Sequence, residues 1–145
     1  MEKLDLLGAS VAHIIFLLAI LVFVSRLAGQ PRIEYWVGLL LLLTALPLCY
    51  LLLKAPLYHR APLYYLQLVL MLAYLVLEAV LDYVFKFDFR HVRAIVIPYV
   101  TLFFAATGGM IGVAALAGRP WAISSIILFL IMAVLAFVQH ARLGL

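Results

Sequence analysis

Glu78 and Asp82 stand one helical turn apart inside an apolar segment, Pro62 to Phe85, and no other apolar run in the chain holds a carboxylate in its interior. An acid at the middle of a membrane helix costs about 2.5 to 3.5 kcal/mol on insertion scales, so its presence marks a functional site by default. A carboxyl held there can take up and release a proton, or hydrogen-bond a ligand. At about 3.6 residues per turn, Tyr64, Gln67, Met71, Tyr74, Glu78 and Asp82 share one helix face, which leaves Leu, Val and Ala for the lipid side. The dozen Leu and Val of this segment offset the acids, since each returns about 0.3 to 0.6 kcal/mol on insertion.

The two acids differ in depth. Asp82 lies near the headgroups, with Lys86 four residues on and Arg90 and Arg93 close enough to snorkel toward it, so an interfacial ion pair is expected there. Glu78 is a turn deeper and has no such local cation. Desolvation disfavours its charged form. Matching depths across antiparallel helices puts Glu78 level with Tyr99 and Thr101, and within a turn or two of Gln139 and His140.

Composition dictates the elements that position these residues. The chain has 145 residues, 70% hydrophobic and 11% charged, with a mean hydropathy of +1.28. Soluble domains are only about 45 to 50% apolar, so the surplus must face lipid. Apolar stretches run from about Leu6 to Leu27, Ile33 to Leu53, Pro62 to Phe85, Val92 to Gly118 and Trp121 to Gln139. Each approaches the roughly 17 to 25 residues that cross a bilayer as a helix, the conformation that satisfies its own backbone there. The expected fold is therefore all-α: one polytopic transmembrane domain over residues 1–145, a bundle of five membrane helices joined by short antiparallel connections. The first run is longer than a signal-peptide core and the residues before it carry no excess of basic side chains, so it reads as a membrane helix. Tyr35, Trp36, Tyr64, Tyr65, Tyr83 and Trp121 fall near span ends, where aromatic rings anchor at the interface.

The net charge of +4 is spread over loops and span ends without a basic run, so the bilayer is the expected partner and nucleic acid is not. One side of the membrane would carry Lys3, Lys54, Arg60 and Arg119, the other Arg26, Arg32, Lys86, Arg90, Arg93 and Arg142. The positive-inside rule then places the amino terminus outside and the carboxyl terminus in the cytoplasm, in a plasma (inner) membrane.

Other features carry less chemistry. His13 lies in the outer half of the first helix, about 13 Å of rise from the level of Glu78, where it reads as a hydrogen-bonded histidine or a residue of a ligand pathway. Gly108, Gly109 and Gly112 form a small-residue face suited to close helix packing, within the molecule or between two copies. Pro47 and Pro98 interrupt the second and fourth runs. Cys49, the one cysteine, reads as a small buried apolar residue. There is no nucleophile elbow, Walker loop or metal-ligand spacing, and neither a metal nor a cofactor is expected.

These residues point first to a transporter or channel for a small solute or ion. Glu78 would be its proton or ligand site, Asp82 a link to the surface, and Tyr74, Gln67, Tyr99 and Thr101 the lining of the route, in a homo-oligomeric bundle. A non-catalytic membrane subunit, assembly factor or regulator is the alternative. An intramembrane enzyme, or a protein binding a lipophilic ligand through the same acids, is a third reading.

Overall fold

The computed structural model describes residues 3–58, 62–84 and 93–143, apart from the side chains at 58, 82–84, 93 and 143. Among the described residues five helical spans are long and apolar enough to cross a membrane, at Lys3–Leu27, Pro31–Leu57, Pro62–Leu81, Ala94–Ala115 and Arg119–Arg142. The all-α membrane bundle expected from composition is the fold.

Helix α1 (Lys3–Leu27) is apolar on all sides, as befits an element with protein on one face and lipid on the other. It ends at Gly29, whose φ of +68° is a left-handed conformation that a side chain would oppose. Pro31 then opens α2 (Pro31–Leu43), filling a first-turn position where no N–H is needed.

The second span is interrupted at one residue, Thr44, which itself keeps right-handed helical angles. The buried Thr44 hydroxyl turns back onto the Leu41 carbonyl at 2.5 Å, and a separate helix, α3 (Ala45–Lys54), begins beyond it. Pro47 has no N–H to offer the Leu43 carbonyl, which removes one of the bonds that would have joined the two halves. After a tight helical turn at Ala55–Tyr58 the chain re-enters as α4 (Pro62–Glu78), which widens into a π-helical turn at Ala79–Val84. The bundle is completed by α5 (Arg93–Ala115), with Pro98 inside it, and by α6 (Arg119–Leu143), which follows a turn at Gly118.

Helix α1 is the central post, packed against α2, α5 and α6, while α4 lies along α5. The two halves of the interrupted span go different ways: α2 follows α1 and barely touches α4, whereas α3 packs on α4. Phe16, Leu48, Leu51, Met71 and Met110 fill the centre, and Leu46, Leu53 and Leu130 point outward, where the membrane would meet them. In lipid such a bundle is held by close packing rather than by hydrophobic expulsion, and its small residues serve that end. A Cβ on Gly109 would come within 3.3 Å of Gln67, and one on Gly112 would overlap the Gln67 amide. Gly8 meets Val113 of α5 in the same way, at 3.0 Å.

One expectation is corrected. Cys49 is exposed on the outer face of α3 rather than buried, because Leu48 and Leu51 supply that helix's inward side.

Candidate functional site

Helix α4 presents Tyr64, Met71, Tyr74 and Glu78 to the interior, the face set by their spacing. Glu78 is only 8% exposed. The hydroxyl of Tyr74, one turn earlier on the same helix, donates to Glu78 Oε2 at 2.8 Å, and the hydroxyl of Tyr99 on α5 donates to the same oxygen. The two phenol oxygens are 3.2 Å apart and their rings lie 5.7 Å apart at a tilt, against Phe103. Hydroxyl donors aimed at a carboxyl oxygen compensate for the water it lost on burial.

Local sequence explains how the three residues converge. A four-residue step stacks Tyr74 over Glu78 on one helix face. Tyr99 follows Pro98, which cannot donate to the Ala94 carbonyl one turn back, at a point where α5 lies against α4. Directly after Glu78 the helix takes its π-helical turn, a feature that recurs beside functional sites.

This cluster forms part of the wall of a cavity of about 540 Å³ in the half of the bundle that holds the carboxyl end of α1. Thr101 lines it as well, with its hydroxyl returned to the Ile97 carbonyl at 2.8 Å. Most of the remaining wall is hydrocarbon and aromatic ring, including Phe23, Leu41, Phe103 and Phe104.

A second polar cluster lines the same cavity, and sequence reasoning missed it. Arg26, at the end of α1, meets Glu34 in the first turn of α2, with Nε 2.7 Å and Nη2 2.6 Å from Oε1. Its Nη1 donates to Oε1 of the buried Gln139 on α6 at 2.9 Å. Three helices are thereby tied around one guanidinium, with His140 beside them in the wall. The signal available in the sequence was an Arg and a Glu flanking a short Gly-Gln-Pro corner, close enough to bridge it.

The other expected site residues lie elsewhere. Gln67 packs over Gly109 and Gly112 between α4 and α5, whereas a Cβ on Gly108 would meet open space. His13 is engaged in the opposite half of the bundle: Nδ1 donates to the Ala9 carbonyl at 2.8 Å, Nε2 meets the Ser124 hydroxyl at 2.6 Å, and the ring stands edge-on to Trp121. The side chain of Asp82, with Lys86 and Arg90, lies outside the described residues, and so does the expected ion pair.

The arrangement suits reversible proton uptake at a carboxyl with hydroxyl neighbours, or hydrogen bonding to a guest in an apolar chamber. Comparison with known proteins found no family model, curated protein or solved structure that matches this chain.

Proposed function

We propose that this is a membrane transport protein that binds a small solute in the chamber beside Glu78 and moves it with the help of proton uptake and release at that carboxyl. The observation that carries the reading is the position of Glu78. A costly buried acid, held by two tyrosine hydroxyls in the wall of a chamber of about 540 Å³, falls within the roughly 300 to 1,000 Å³ range of ligand sites. Packing alone would have been served as well by Leu or Met. In this reading the chain sits in a plasma (inner) membrane with its carboxyl terminus in the cytoplasm, so the chamber belongs to the cytoplasmic half.

The test uses purified protein in liposomes loaded with a pH-sensitive dye and offered amino acids, sugars, amines and alcohols in turn. Proton movement triggered by one of these compounds, and abolished by Glu78→Gln in a protein that still elutes as a folded species, is the expected result. Movement unchanged by Glu78→Gln, or none with any compound, overturns the proposal.

A further inference from the structure

The chamber has a rim as well as a wall. Ile97 and Val100 on α5 and Phe137 on α6 all line it, yet they are 58%, 39% and 71% exposed, more than an enclosed wall would leave them. In a membrane span, a side chain that borders the cavity and also faces outward has hydrocarbon as its neighbour. The parting of α2 from α4 beyond Thr44 lies in this same half of the bundle. A molecule already dissolved in the bilayer would pass this rim without shedding water. An ion or a sugar would have to be stripped of its hydration in hydrocarbon.

The cation of the wall is already paired from within. Arg26 is held by Glu34 and Gln139, and Glu78 receives the hydroxyls of Tyr74 and Tyr99. His140 has interactions of its own. An anionic guest would have to break the Arg26 pairing to be paired itself, and breaking a partly buried pair is costly; a cationic one would first have to shed its water in hydrocarbon. A neutral hydroxyl would break no pairing, because a phenol oxygen that donates its proton to Glu78 still has lone pairs with which to accept one.

From rim and wall together, and resting on the reading of this chamber as a ligand site, we infer that the ligand is an uncharged, lipid-soluble molecule with a hydroxyl head, that it reaches the chamber sideways from the bilayer, and that its head is received by Tyr99 and Tyr74.

The experiment places the full-length protein in phospholipid liposomes containing hexadecanol with a photoreactive diazirine in its tail, and maps the adducts by mass spectrometry. Phe103 and Phe104 on the chamber wall are expected to label about tenfold more than Leu46 and Leu53 on the outer face of α3. Excess hexadecanol should suppress that labelling, and hexadecyltrimethylammonium or palmitate should not. Tyr99→Phe keeps the ring and removes one hydroxyl, so hexadecanol should compete about three- to tenfold less well, the equivalent of one hydrogen bond. Labelling spread evenly over α3 and the chamber overturns the inference. Stronger competition by the ammonium or by palmitate overturns the neutral head while leaving the chamber a ligand site. Proton movement that depends on Glu78 with a water-soluble compound, in liposomes where hexadecanol does not compete, overturns this inference and spares the transport reading.

Discussion

Arg26 and Glu34 close the corner between the first two helices, Nη2 to Oε1 at 2.6 Å, in the wall of the chamber that also holds Glu78. Their side chains are 11% and 28% exposed, so neither is a freely solvated surface charge. Glu34→Gln leaves the guanidinium without its carboxylate and is expected to lower stability by about 1.5 to 3 kcal/mol, the range for hydrogen bonds to charged groups. Thermal unfolding in detergent checks this. The double variant Arg26→Gln/Glu34→Gln should recover part of the loss, because it leaves no orphaned charge.

Tyr99→Phe removes one of the two hydroxyls that hold Glu78 Oε2. The loss in stability should be small, about 0.5 to 1.5 kcal/mol, while the carboxyl loses the partner on the neighbouring helix. Infrared difference spectra recorded with and without Glu78→Gln isolate the carboxyl band. That band should shift in Tyr99→Phe by an amount comparable to its shift in Tyr74→Phe, and a band indifferent to both substitutions would sink the cluster as described.

Gly112 tests how tightly α4 and α5 approach. A Cβ there would overlap the Gln67 side-chain amide, so Gly112→Ala should cost about 1 to 3 kcal/mol through overpacking, against a gain in helix propensity of about 1 kcal/mol. Since the obstacle is the far end of a flexible side chain, Gln67→Ala in the same protein is expected to restore the stability. Gly108→Ala meets open space and should be neutral or stabilising. Unfolding midpoints in one detergent compare the three.

Cys49 is the one cysteine in the chain and faces outward from α3, so a nitroxide attached to it reports a single site. In liposomes it is expected to collide readily with dissolved oxygen and rarely with a water-soluble nickel chelate, the signature of lipid. Strong relaxation by the chelate would place that face of α3 against water.

The five spans were legible because hydropathy over a bilayer's thickness depends on composition, and composition is all that a sequence needs to supply. The convergence of Tyr74, Glu78 and Tyr99 was legible too, from a four-residue step on one helix and a depth match on the next. Arg26 and Gln139 are 113 residues apart and join helices whose rotation no hydropathy plot fixes. Glu34 lies at a span end, where acids are ordinarily solvated, and its spacing from Arg26 allows a bridge across the corner without saying that the pair faces inward. Pro47 fits the first turn of a helix as readily as it breaks one. Only Thr44 turning onto Leu41, and the divergent packing of α2 and α3, reveal which role it plays.

That divergence has a mechanical consequence. The second crossing of the membrane is interrupted at Thr44, and the part that borders the chamber packs mainly on α1 while the part beyond packs mainly on α4. A tilt of α2 about Thr44 would therefore act on the part of the chamber wall that α2 supplies, including Glu34, Tyr35, Gly38 and Leu41, and would leave the contact of α3 with α4 in place.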